Sequence, residues 1–181
     1  MREGGHALFD TAIGVCGVAW GPGGVVAVQL PEEDAARTRD RLLKGLAPLP
    51  ELARPPAEVQ AAIEGVQALM NGEARDLCEV VLDTSRLTPF QRAVYALARA
   101  IPPGHTRTYG ELARELGDVG LSRAVGQALG HNPFAPIVPC HRVLAAGNRP
   151  GGFSAGGGAI TKLRMLAIEG ARFSEEPGLF D

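Results

Sequence analysis

A thiol, an imidazole and a guanidinium stand side by side in Pro139-Cys140-His141-Arg142, and Glu169 follows 29 residues after the cysteine. A thiolate is a strong nucleophile toward carbon and a neutral thiol a poor one. An imidazole can take the thiol proton, and a carboxylate can orient that imidazole and stabilise its charged form. These residues therefore suit an activated sulfur nucleophile. If the segment is extended, neighbouring side chains point to opposite faces. A water is then expected to bridge Cys140 and His141.

Short helices are expected to position this group. Thr88-Pro89-Phe90-Gln91 combines a Thr N-cap, Pro at the first helical position and Gln for a capping box. Phe90, Val94, Leu97, Ala98 and Ile101 follow at helical spacing until Pro102-Pro103. Thr108-Tyr109-Gly110-Glu111 predicts a second capping box and a short helix closed by Gly117. Ser122 is expected to cap the next helix, with Val125, Ala128 and Leu129 inward and Gly130 at its end. Two short helices joined by a Gly-containing turn make a helix-turn-helix pattern. The second has an unusual face: Ala124, Gly126 and Ala128 are small, and Arg123 is its only long cation. Such a face suits close helix packing or a narrow fit in the minor groove, where little sequence is read.

The first half reads as a small α/β unit. Ala7–Trp20 and Val25–Leu30 are expected as two strands around the turn Gly21-Pro22-Gly23-Gly24. Helices are expected over Glu32–Leu46 and Pro56–Met70, with a proline-rich loop between them and a strand at Cys78–Leu82. No chemistry is legible in this half; His6, Cys16 and Cys78 match no zinc spacing.

Composition sets the limits. The chain has 181 residues, 45% of them hydrophobic, enough for one domain or two small ones. It has no apolar run of membrane length, and its beginning does not read as a signal peptide. Three scattered cysteines form no C-x-x-C pair, so neither a disulfide framework nor a metal is expected, and a reducing cytoplasm fits. The net charge of −2 hides an asymmetry. Residues 1–85 hold 7 basic and 13 acidic residues, a net of −6, whereas residues 86–172 hold 11 and 4, a net of +7. Two ordinary solvated faces would account for this; so would a second half that meets a phosphate backbone.

Several stretches taken together resemble a known family. They are Arg123-Ala124-Val125-Gly126, Asn132-Pro133, Pro139-Cys140-His141-Arg142-Val143, Gly151-Gly152-Phe153-Ser154, Lys162 and Glu169-Gly170. Their order and spacing are similar to those of the O6-alkylguanine-DNA alkyltransferases, also called methylated-DNA–protein-cysteine methyltransferases. The specific match covers about residues 86–170. The resemblance implies irreversible transfer of an alkyl group from O6 of guanine in double-stranded DNA to Cys140, with His141 and Glu169 as its relay. It implies that Tyr109 donates a hydrogen bond to the leaving base and that Asn132 ties the recognition helix to the nucleophile segment. It implies that Arg123, beside Ala124, fills the space left by the flipped nucleotide, and that main-chain groups at Cys140, Val143 and Ser154 read the base edge. No cofactor and a monomeric protein are expected. Phe153 stands where many relatives have tyrosine, and the glycine-rich stretch after it is longer than in relatives. The alternative is a lesion-binding protein without transfer chemistry, which the intact cysteine motif disfavours. A transcription factor with a structural Cys140 is a second alternative. The expected architecture is a small α/β domain over 1–85, a mainly helical winged-helix-like DNA-binding and catalytic domain over 86–172, and an acidic tail over 173–181.

Overall fold

The structure is a computed structural model that describes residues 3–153 and 155–171. Ser154 and the acidic tail lie outside the described residues. Three antiparallel strands open the chain: β1 (Gly5–Thr11), β2 (Gly14–Gly21) and β3 (Gly24–Gln29), in that spatial order. The stretch Ala7–Trp20 is therefore two strands and not one. The turn between them carries little glycine signal, because Thr11 builds it with its side chain. Its hydroxyl donates to the Gly14 carbonyl and accepts from the Ile13 amide. Gly14 adopts φ +128°, a conformation that favours glycine.

Two helices cover this sheet region, α1 (Ala35–Leu43), capped by Asp34, and α2 (Ala57–Met70). Cys78–Leu82 is not a strand. Asp76 accepts from the Cys78 amide and Val80 bonds back to Leu77, which makes a turn. Only Leu82 bridges to Val25. Within that stretch Val80 and Leu82 pack partly against the core while Val81 is exposed, so its apolar residues do not make a buried strand.

The second half follows its capping signals in part. Helix α3 (Pro89–Arg99) has the complete Thr88–Gln91 capping box. In α4 (Tyr109–Glu115), Thr108 accepts from the Glu111 amide, while the Glu111 carboxylate pairs with Arg107. Helix α5 (Ser122–Gly130) is not capped by Ser122, whose hydroxyl donates to the Val119 carbonyl. Asp118 instead starts a 3-10 turn (Val119–Leu121) that runs straight into α5. Val125, Ala128 and Leu129 are buried as expected, so Ala128 belongs to the inner face. Tyr95 of α3 donates its hydroxyl to the Ala128 carbonyl and locks the two helices together. Helix α6 (Ala159–Ile168) ends the described chain.

One buried cluster runs through both halves, from Trp20, Val25 and Val28 to Phe134, Ile137 and Val143. Phe134 is 1% exposed; truncating such a side chain to alanine costs about 3–5 kcal/mol. The Val28 amide donates to the Pro133 carbonyl at 2.8 Å, which ties the sheet to the loop after α5. No helix among the described residues is long and apolar enough to cross a membrane.

Candidate active site

Two residues per strand set the register of the site. β4 (Arg107–Thr108) pairs in parallel with β5 (Val143–Leu144). Tyr109 follows β4 directly, and Cys140–Arg142 directly precedes β5. This short ladder brings together residues more than thirty positions apart.

Cys140–Arg142 is a turn of 3-10 helix and not an extended segment. Pro139, with φ −82° and ψ 68°, is the centre of an inverse γ-turn, closed by the Cys140 amide donating to the Val138 carbonyl at 2.8 Å. A proline ring holds φ near this value. In a 3-10 turn successive side chains fan out by about a third of a circle, so Cys140 and His141 diverge without pointing to opposite faces. Cys140 is only 7% exposed.

Behind the thiol lies a fully buried polar chain. His141 Nε2 meets Glu169 Oε1 at 2.7 Å. The carboxylate can only accept, so Nε2 carries the proton and Nδ1 keeps its lone pair. Nδ1 is buried and has no protein hydrogen-bond partner among the described residues. Arg142 holds Glu169 from the other side, Nε to Oε2 at 3.0 Å and a terminal nitrogen to Oε1 at 2.7 Å. Its remaining nitrogen donates to the Ile101 carbonyl at 2.8 Å. Burial alone would raise the Glu169 pKa; the hydrogen bonds from His141 and Arg142 overcome it and hold the carboxyl at about 2. Burial lowers the pKa of His141, opposed by Glu169. The resting relay is therefore neutral imidazole beside carboxylate.

Burial likewise raises the Cys140 pKa, opposed by the neighbouring Asn132 side chain and by the charge of Lys162. The resting sulfur is a thiol, and attack requires its proton to leave. Asn132 also donates to the Val138 carbonyl at 2.8 Å and accepts from the Phe134 amide at 2.9 Å, so it fixes the loop that carries the cysteine. Tyr109 faces the same space: burial, followed by the nearby Cys140, raises its pKa, so its hydroxyl keeps its proton.

Arg123 is exposed, and Ala124 is half-buried beside it. Arg123, Tyr109, Gly126 and Phe153 line an open groove of about 860 Å³. Arg123 reaches solvent and not the thiol. Val143 is buried, and its carbonyl accepts from Lys162 Nζ at 2.7 Å. Ser154, the other expected base contact, lies outside the described residues.

A family profile described as "6-O-methylguanine DNA methyltransferase, DNA binding domain" matches residues 89–171. The chain is 42% identical over 126 residues to the methylated-DNA–protein-cysteine methyltransferase of Mycobacterium tuberculosis strain H37Rv, covering 70% of this chain and 74% of that protein. The chain belongs to the methylated-DNA–protein-cysteine methyltransferase family. A Thermus thermophilus protein named a DNA base-flipping protein is 46% identical over 109 residues, 60% of this chain and 71% of that one. The structure superposes on the crystal structure of Mycobacterium tuberculosis OGT in complex with DNA with a TM-score of 0.71 at 34% identity, covering 97% of this chain and 99% of that one.

Two residues of this methyltransferase-family chain gain a place that sequence reasoning left blank. Lys162 is fully buried, donates to the Val143 carbonyl and the Tyr109 hydroxyl (3.3 Å), and lies 5.6 Å from the centre of the Tyr109 ring. Burial pushes its pKa down to about 8, opposed by Cys140. Its signal was available: Lys162 shares the inner face of α6 with Met165 and Leu166, where a lysine is out of pattern. Arg142 was visible as part of the motif, but its grip on Glu169 depends on the Ile101 carbonyl 41 residues earlier, which no local pattern reveals.

Proposed function

We propose that this protein reverses O6-alkylguanine damage in duplex DNA by moving the alkyl group onto its own Cys140. The observation that carries the reading is the buried thiol set between Asn132, Lys162 and the His141–Glu169–Arg142 chain. Cys140 Sγ attacks the alkyl carbon in line, the carbon–O6 bond breaks, and guanine leaves with the electron pair. The thiol proton passes to His141 Nδ1, whose buried and unpartnered state supports a water relay. Glu169, already ionised, stabilises the imidazolium that forms. Tyr109 donates its hydroxyl hydrogen to the departing ring. Lys162, set against the Tyr109 hydroxyl, polarises that group and lowers the cost of charge on sulfur.

The target base must leave the stack to reach so enclosed a thiol. Arg123, on the exposed side of α5, fills the gap in the duplex, with Ala124 allowing close approach to the minor groove. Main-chain groups at Cys140, Val143 and Ser154 read the base edge. Residues 86–172 form the winged-helix-like working part, and residues 1–85 brace it. It acts as a cytoplasmic monomer.

Intact mass after incubation with O6-methylguanine duplex tests the reading. One added methyl, mapped to the Cys140 peptide, is expected. Tight binding with no change in mass overturns transfer in favour of lesion binding alone, and a methyl on Cys16 or Cys78 overturns the site.

A further inference from the structure

A second cleft, of about 420 Å³, is lined by Cys140 itself, which the Arg123 groove is not. It shares only Gly130 and Phe153 with the Arg123 groove. Much of its wall comes from the half in which the sequence shows no chemistry: Gln29 and Leu30 at the end of β3, and Arg41 and Lys44 at the end of α1. His131 closes the other side. Residues 1–85 carry a net charge of −6, yet this half turns two cations and none of its described carboxylates into the wall. Glu32 stands just behind it, paired with Arg41. Lys44 is exposed and has no ion-pair partner among the described residues.

In-line attack fixes where an adduct must go. Sulfur, the reacting carbon and O6 lie on one line, so any atoms beyond that carbon project sideways. A methyl group needs no such room. We infer that this cleft receives the distal part of O6 adducts that end in an anionic group, such as carboxymethyl, with Lys44 as the recognising cation beside the Arg41–Glu32 pair. The inference rests on the transfer reading above. The step is unchanged: Sγ bonds to the methylene carbon, the carbon–O6 bond breaks with its electrons going to guanine, the thiol proton passes to His141, the departing ring takes its hydrogen from Tyr109, and the carboxylate is carried over intact on the thioether. Ala155 also lines the cleft, and the neighbouring Gly156 packs beside Pro31 and Glu32. A Cβ built on Gly156 would lie 2.5 Å from the Pro31 carbonyl oxygen and 3.0 Å from a Glu32 carboxylate oxygen. The N-terminal half therefore shapes the cleft as well as charging it.

Single-turnover rates on duplexes carrying O6-methylguanine, O6-carboxymethylguanine and its neutral isostere O6-carbamoylmethylguanine test this. Lys44→Gln should lower the carboxymethyl-to-carbamoylmethyl rate ratio about fivefold, the scale of one partly exposed ion pair, and Lys44→Glu by more, with both effects shrinking in high salt. A ratio that moves less than twofold in both variants overturns the anion site. Equal slowing on all three adducts with weaker binding of undamaged DNA also overturns it, because Lys44 then contacts phosphate. If the unaltered protein takes up methyl but the ratio is insensitive to Lys44, only this inference fails; if it takes up no adduct at all, the transfer reading fails and takes this inference with it.

Discussion

Replacing Glu169 with glutamine removes the charge that both His141 and Arg142 share. Its carboxyl is held at about 2 against an ordinary 4.5, which corresponds to about 3 kcal/mol of native-state stabilisation. Leaving the Arg142 guanidinium buried with no anion gives a similar figure, about 3–5 kcal/mol. The side chain is 3% exposed, so solvent screening takes little from either estimate. At neutral pH the variant should melt roughly 6–20 °C lower, for a chain of this length. The pH dependence is the sharper test. A depressed carboxyl contributes fully above its unfolded value and loses that contribution as pH falls toward its folded value. The stability difference between the wild type and Glu169→Gln should hold constant from pH 7 to about 5.5 and shrink by about 2 kcal/mol by pH 3. Urea melts across that range measure it. A difference that stays flat down to pH 3 would refute a buried, doubly paired carboxylate. Transfer by the same variant should be slower by about 10²-fold, the scale of positioned proton transfer; a normal rate would remove Glu169 from the relay.

Four further outcomes follow from the same geometry. Cys140→Ala should abolish alkyl uptake while DNA affinity, measured by fluorescence anisotropy, stays within a few fold, because an enclosed thiol touches no phosphate. Arg123→Ala should slow repair of duplex DNA more than reaction with free O6-benzylguanine, since only the duplex pays for extrusion; equal slowing would place Arg123 in the pocket. Gly151→Ala should slow transfer markedly, because the new methyl would lie 2.8 Å from the Tyr109 hydroxyl at a residue with φ +70°; an unchanged rate would show that the Tyr109 position is not critical. Uptake from excess damaged DNA should plateau at one alkyl group per protein, and continued turnover past that plateau would refute irreversible transfer.

The sequence was most legible where local chemistry decides the outcome. The Thr88 capping box and the α5 inner face have their causes within a few residues, and His141 meets Glu169, 28 residues on, as the family resemblance implied. It misled where a side chain replaced the usual signal. Thr11 made a turn without a glycine pair, and Asp118 took the capping role expected of Ser122. It was silent where a contact spans the chain. Nothing near Arg142 announces Ile101, and nothing near Lys44 announces that it lines the same cleft as Cys140. The expectation of an extended Cys140 segment failed for a similar reason. Pro139 can precede a strand or a helical turn equally well, and the 3-10 turn stops where β5 pairs with β4.

The bond from the Val28 amide to the Pro133 carbonyl carries a consequence for how the protein fails. It joins the three-stranded sheet to the loop between Asn132 and Cys140, over buried side chains contributed by both. Heat, a destabilising substitution in β3 or a protease that frees that strand would open the floor beneath the nucleophile. Repair would be lost with every catalytic residue intact. By mass action, a duplex that engages only the closed form would in turn hold the strand in place. Repair capacity is then governed by the fraction of molecules zipped along β3, and damaged DNA itself raises that fraction.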